Sequence, residues 1–258
     1  MENSNYLDHL QEAFRNPLQV RTFTYTLTPE GTLSAKKLEA LSNLEELHLY
    51  NANDLLFEKL DLGAFPKLLR LYLRSGTIKE MPAQVYTCNR LEELYIWQQH
   101  IKSLPKEIEG LKSLKKLHLK GLRYLRYLPE TLWHLPALEL LQIEKCPLKE
   151  LPEIAATASQ LQKLVLKNTK VKHLPVGMGK LSALQTLTLR KSPIEKLSEE
   201  LLALPLQKIT LSELPFLDIL GQKGQQVASL WKLFAKKQYS FTERKAFFYL
   251  FLGLRERF

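Results

Sequence analysis

The sequence predicts a solenoid of the α/β class: a curved parallel β-sheet on the concave face, short helical or extended segments on the convex face, and a helical cap at each end. Three observations lead there. An L-x-x-L-x-L pattern recurs at a near-constant interval through most of the chain. Most copies are followed by an aliphatic residue and then a Leu-Pro or Met-Pro step. Both ends depart from the pattern and read as amphipathic helices instead.

Residues 1–19 are read as the leading cap, because Leu7, Leu10 and Phe14 follow i, i+3, i+7 spacing behind Ser4 as a capping residue. Residues 20–212 form the solenoid. Its seven clear copies start at Leu44, Leu68, Leu91, Leu114, Leu138, Leu161 and Leu184, spaced by 23 or 24 residues. A degenerate copy precedes them (Val20, Phe23, Tyr25) and another trails them (Leu206, Ile209, Leu211).

The spacing has a simple physical reading. The x-L-x-L stretch alternates with period two, so its leucines face inward and the residues between them face outward. A chain that returns to the same place every ~23 residues pairs each short strand with the preceding one in parallel. After the strand come Ile78, Ile101, Leu148, Val171 and Ile194, with Leu125 shifted by one residue. Then follow Met81-Pro82, Leu104-Pro105, Leu128-Pro129, Leu151-Pro152 and Leu174-Pro175. Proline cannot donate to a ladder, so this step ends the inward segment and starts the outer wall. The outer wall has only about ten residues per coil, which makes the strand side the concave one.

These residues, in the consensus LxxLxLxxxxIxxLPxxIxxLxx, resemble the leucine-rich-repeat superfamily in its intracellular short-repeat form, similar to bacterial and Ras-associated members. The resemblance covers roughly residues 20–211 and implies a horseshoe-like binding module. One departure stands out. Many relatives carry Asn eight positions after the first leucine, where its amide bridges neighbouring turns. Here that position holds Ala52, Gly76, Gln99, Leu122, Cys146, Thr169 and Ser192. The resemblance therefore implies a less regular polar ladder, above all around the longer repeat at Leu114.

Residues 213–258 are read as a basic, aromatic helical cap. Val227, Leu230, Trp231 and Phe234 form one helical stripe, and Ser240-Phe241-Thr242-Glu243 fits a capping box that opens a second helix. Residues 206–258 hold nine Lys or Arg against four Asp or Glu, so half of the net charge of +10 comes from this end. Such a bias suits nucleic acid, anionic lipid or an acidic protein alike.

The candidate binding surface is the set of outward strand residues. Two after the first leucine lie Glu46, Arg70, Glu93, Lys116, Leu140, Lys163 and Thr186; four after lie His48, Tyr72, Tyr95, His118, Gln142, Val165 and Thr188. Six after lie Tyr50, Arg74, Trp97, Lys120, Glu144, Lys167 and Arg190. All three columns are expected to be exposed. Among them, His48, Tyr50, Arg70, Tyr72, Arg74, Tyr95 and Trp97 form an aromatic-and-arginine patch, and Lys116, His118, Lys120, Lys163, Lys167 and Arg190 a basic stripe beside it. Exposed aromatics and arginines are what protein interfaces concentrate, and the stripe predicts a partner that is acidic over the second half. The expected function is a non-catalytic protein–protein interaction module. The alternatives are the substrate-recognition part of an effector or ubiquitin-ligase-type adaptor, and nucleic-acid or membrane attachment through the basic end.

Catalytic signatures are missing from the sequence. It has no G-x-S-x-G, P-loop, HExxH or Rossmann glycine pattern. The histidines are read as isolated, His48 and His118 without a matched carboxylate. Cys88 takes an outer-wall core position and Cys146 the bridging position, with neither CxxC spacing nor a neighbouring His pair. No cofactor, metal site or disulfide is expected. The first residues carry Glu2, Asp8 and Glu12 without a continuous apolar core, and the densest apolar run, Ala246 to Leu252, is far short of the ~20 residues of a membrane helix. A cytoplasmic monomer is the resulting expectation.

Overall fold

A computed structural model describes residues 12–28, 35–154, 160–195 and 197–214. Among the described residues, nine five-residue strands make one wholly parallel sheet in sequence order. They are β1 (Thr22–Thr26), β2 (Glu46–Tyr50), β3 (Arg70–Arg74), β4 (Glu93–Trp97), β5 (Lys116–Lys120), β6 (Leu140–Glu144), β7 (Lys163–Lys167), β8 (Thr186–Arg190) and β9 (Lys208–Ser212). Both degenerate copies thus form strands, since β1 and β9 pair fully with their neighbours.

Register is constant across the sheet. Glu46, Arg70, Glu93, Lys116, Leu140, Lys163, Thr186 and Lys208 are successive partners, and so are the residues two and four further on. The in-facing pairs, such as Leu47 with Leu49 and Leu117 with Leu119, are fully buried. The first leucines of the clear repeats join them in one continuous core. Each fully buried leucine contributes about 1.5–3 kcal/mol, and parallel pairing lets one coil cover the open face of the next.

The outer wall is built mostly of short 3-10 turns. Pro82, Pro105 and Pro129 stand immediately before the turns Ala83–Thr87, Lys106–Gly110 and Glu130–His134. Proline there sets φ without sacrificing a needed donor. True α-helix occurs at Ala35–Glu39 and Asp54–Lys59, the latter capped by Asn53, whose side chain accepts from the Leu56 N–H. Among the described residues no helix is long and apolar enough to cross a membrane.

A feature absent from the sequence pattern follows every strand from β2 onward. The residue seven after the first leucine is left-handed: Asn51, Ser75, Gln98, Gly121, Lys145, Asn168, Lys191 and Glu213 have φ between 51° and 66°. Its N–H still donates to the next coil, as from Asn51 to the Arg74 carbonyl at 2.9 Å and from Lys145 to that of Lys167 at 2.9 Å. The left-handed residue therefore extends the ladder while turning the chain out of the sheet.

The irregular bridging position is confirmed and its parts are resolved. A Cβ on Gly76 would lie 2.1 Å from the Ala52 carbonyl oxygen, so only glycine lets these coils close. The buried Gln99 accepts from the Ile78 N–H at 3.2 Å, while Thr169 and Ser192 join hydroxyls at 2.9 Å. Leu122 is simply apolar and buried.

Two expectations are corrected. Cys88 packs against the core but is only half-buried, and its thiol donates to the Gln84 carbonyl. Val165 and Thr188 are buried rather than exposed, at 2% and 9%, where Val165, Thr188 and Thr210 stand side by side in register and directly opposed side chains cover one another. Of the leading cap, residues 12–15 are helical and Phe14 meets Phe23 edge-on at 6.0 Å. Leu7, Leu10 and the segment from residue 215 on lie outside the described residues.

Candidate functional site on the concave sheet

The middle column of β2–β5 is a continuous aromatic stack. His48 lies on Tyr72 at 4.1 Å between ring centroids, Tyr72 on Tyr95 at 4.3 Å, and Tyr95 on His118 at 4.3 Å. The planes are within 6°, 8° and 12° of parallel. Geometry dictates this arrangement. In-register parallel strands place equivalent Cβ atoms ~4.8 Å apart, and four planar side chains in one rotamer at that spacing must stack. Such ring contacts stabilise by about 0.5–1.5 kcal/mol each beyond area burial.

The column to one side is a chain of ion pairs. Glu46 accepts from Arg70 Nε at 2.6 Å and faces His48 Nε2 at 2.6 Å. Glu93 accepts from Lys116 Nζ at 2.8 Å and from the Tyr95 hydroxyl at 2.7 Å. His48 is therefore not without a carboxylate, contrary to the sequence reading. The residue two before it on the same strand points to the same face, which the period of a strand makes unavoidable. His134 and His173 also approach acids, Glu109 at 4.0 Å and Glu195 at 3.8 Å.

The column on the other side centres on Arg74. Its guanidinium carbon sits 4.1 Å from the Trp97 ring centroid, 5.5 Å from that of Tyr72 and 5.6 Å from that of Tyr50. Its Nη1 donates to the Tyr50 hydroxyl at 2.9 Å. Trp97 also stands edge-on to Tyr95 at 5.8 Å, and Lys120 Nζ lies 5.8 Å from the Trp97 centroid. Lys120 pairs with Glu144 at 3.4 Å. Cation–π contacts of this kind stabilise by roughly 0.5–2 kcal/mol.

Protonation follows from the packing. Burial, reinforced by Lys116 and Lys163, pushes His118 down to about 4 against the pull of Glu93, so it is neutral at pH 7. Burial raises the carboxyls of Glu46 and Glu93, but hydrogen bonds to His48 and Arg70, and to Lys116 and Tyr95, outweigh it and hold both low. Burial and then the neighbouring glutamates push the Tyr72 and Tyr95 phenols up. The face presents neutral Tyr72, Tyr95 and His118 rings between fixed charges. Neither thiol is activated: burial raises Cys88 and Cys146 to about 11 each.

The predicted site residues thus divide. His48, Tyr50, Arg70, Tyr72, Arg74, Tyr95, Trp97, Lys116, His118 and Lys120 come together as one bonded surface over β2–β5. Lys163, Lys167 and Arg190 lie beyond it on β7 and β8, where Arg190 pairs with Glu213 at 3.3 Å. The sequence reading overlooked Glu46, Glu93 and Glu144 as members of the site. The alternation Glu46, Arg70, Glu93, Lys116 down one column was the signal, because opposite charges on adjacent strands attract. Among the described residues no group of three His, Cys, Asp or Glu is placed to hold a metal.

No known family's sequence profile matches the chain. The volume-regulated anion channel subunits LRRC8D of rat and human are each 30% identical over 176 aligned positions, covering 55% of this chain and 20% of theirs. The chain thus spans about a fifth of the length of these relatives. Among solved structures, a leucine-rich-repeat protein of Leptospira interrogans superposes with a TM-score of 0.67 at 19% identity, covering 93% of this chain and 72% of its own. The plant peptide hormone receptor RGFR1 in complex with RGF2 gives 0.56 at 20%, covering 76% of this chain and 34% of its own. The leucine-rich-repeat domain of the type III effector XopL gives 0.51 at 22%, covering 80% and 76%. Nine coils in constant register, together with these likenesses, make the fold that of the leucine-rich-repeat proteins.

Proposed function

We propose that the chain is a non-catalytic binding module that seats another protein on its concave sheet, centred on Tyr72, Tyr95 and Trp97. The observation that carries this reading is the four-ring stack with the Trp97–Arg74 pair beside it. Rings and charges locked by mutual contacts lose little conformational freedom when a partner docks, so most of the contact energy remains available for binding. Tyr, Trp and Arg are also the side chains on which binding energy concentrates.

The partner's surface over the second half of the sheet is acidic in this reading. From β2 to β5 the sheet supplies acids to its own cations. On β7–β9 the outward columns hold Lys163, Lys167, Arg190 and Lys208 and no acid, and of these Arg190 reaches Glu213 just past β9. The fold is also that of a plant peptide hormone receptor solved in complex with RGF2, which supports a protein or peptide as the ligand class.

Affinity capture from the source organism tests the proposal. Tyr72→Ala, Tyr95→Ala and Trp97→Ala combined should weaken binding of the partner at least ~30-fold, the loss of ~2 kcal/mol that a single anchor carries. Unchanged far-ultraviolet circular dichroism would establish that the variant is folded. Equal capture by that folded variant and the parent removes the concave face from consideration.

A further inference from the structure

A second surface lies on the rim that the chain crosses after leaving β4 and β5. Five consecutive coils place one exposed cation at the same level there: Lys79, Lys102, Arg126, Lys149 and Lys172. In the flanking coils the following residue is an acid, Glu80 or Glu150. In the two central coils it is Ser103 or Tyr127 instead, and His100, Arg123 and Tyr124 lie beside them.

The centre of this rim has three unusual properties. Tyr124 and Tyr127 are 46% and 65% exposed, and the other large hydrophobic side chains exposed among the described residues, Leu18, Leu55 and Val176, belong to other coils. None of the ion pairs among the described residues uses His100, Lys102, Arg123 or Arg126, although Lys172 is paired with Glu195. The coil starting at Leu114 carries one extra residue, and the shift of its aliphatic position to Leu125 places that extra residue between Gly121 and Leu125, in the stretch holding Arg123 and Tyr124. Insertions of this kind in repeat proteins map to a surface, often the binding one.

The backbone beneath is fixed. Arg126 N–H donates to the Lys102 carbonyl at 2.8 Å, Tyr127 bridges Ser103 in parallel, and Leu122, Leu125 and Leu128 anchor the segment in the core. His100 stands nearly perpendicular to the Tyr124 ring, with centroids 5.2 Å apart, while Tyr124 and Tyr127 stay exposed.

We infer that this rim binds single-stranded nucleic acid, with Lys102, Arg123 and Arg126 on phosphates and Tyr124 and Tyr127 stacking on bases. A row of cations with exposed aromatic rings between them is the combination that non-sequence-specific strand binding uses. Successive coils offer a cation every ~4.8 Å, and a stacked strand carries a phosphate every ~3.4 Å, so a single strand supplies a charge for each coil. A membrane surface fits less well, because no aliphatic side chain accompanies the tyrosines for insertion. The inference is independent of the concave site.

The test is fluorescence anisotropy of the full chain with a fluorescein-labelled oligothymidine of about twelve nucleotides, across a salt series. Arg123→Ala with Arg126→Ala should lower the slope of log K against log salt by about 1.4, at ~0.7 per lost phosphate contact. Tyr124→Ala with Tyr127→Ala should weaken binding roughly tenfold or more at fixed salt, and Phe at both positions should restore it. All four side chains are exposed, so the variants should fold as the parent does, and the concave triple variant should bind the oligonucleotide unchanged. Full-strength binding by either pair of alanine variants overturns the inference. So does a polyglutamate of equal length binding as tightly, or phosphatidylserine vesicles responding to these variants when the oligonucleotide does not.

Discussion

His118 ends the ring stack, and its packing makes it a reporter of acid stability. In the unfolded chain it titrates near 6.5 and in the folded chain near 4. Between these values the unfolded state binds more protons, so folding stability falls as pH drops from 6.5 toward 4. Glu46 and Glu93 act in a lower window. Their carboxyls are held below 4.5, so their stabilisation is present above that pH and is lost as pH falls through their folded values. Urea midpoints at pH 6.5, 5.5 and 4.5 should therefore decline in the parent, and His118→Phe, which keeps a ring on Tyr95, should flatten the decline between 6.5 and 4.5. An unchanged slope would remove His118 as its source. The carboxylate partner of His48 belongs to the same scale: the period of a strand puts Glu46 on its face, and only the placed side chains reveal the 2.6 Å contact.

The repeating coil makes its own demand on backbone conformation. Each turn out of the sheet needs a left-handed residue, yet only Gly121 is a glycine, and Lys145 and Lys191 adopt φ of 54° and 51°. That conformation costs an L-residue about 1–2 kcal/mol, and glycine loses only about 0.5–1 kcal/mol of chain entropy in exchange. Lys145→Gly should thus stabilise the protein by up to about 1 kcal/mol, read as a higher urea midpoint at constant m-value. A lower midpoint would show that the lysine makes a contact worth more than the strain. The sequence did not disclose this turn, because Asn, Ser, Gln, Gly, Lys and Glu share one position there and present no common chemistry. The Leu-Pro step was legible for the opposite reason: proline can occupy few places beside a ladder, so its recurrence names its role.

Across the whole molecule, each coil touches only its neighbours, so stability is a sum of local interfaces. Leu119 is fully buried in the middle strand. Leu119→Ala should cost about 2–5 kcal/mol, and hydrogen exchange should accelerate in β4–β6 before β1 or β9. Uniform acceleration over all nine strands would mean that the stack opens as one unit. The same linear architecture gives room for both proposed surfaces: the coils starting at Leu68, Leu91 and Leu114 contribute strand residues to the concave one and Lys79, Lys102 and Arg126 to the rim.

The sequence by itself determined the architecture and the columns. A constant repeat of 23 or 24 residues leaves parallel, in-register stacking as the way to bury so many leucines, and register then places Tyr72 beside Tyr95 and Arg74 beside Trp97. Only the tertiary structure decided what those neighbours do. Stacking of four rings, the seating of Arg74 against Trp97, the burial of Val165 and the exposure of Tyr127 depend on rotamers and on the shape of the coil beneath. Those are properties of packed atoms in three dimensions, and a one-dimensional period carries no record of them.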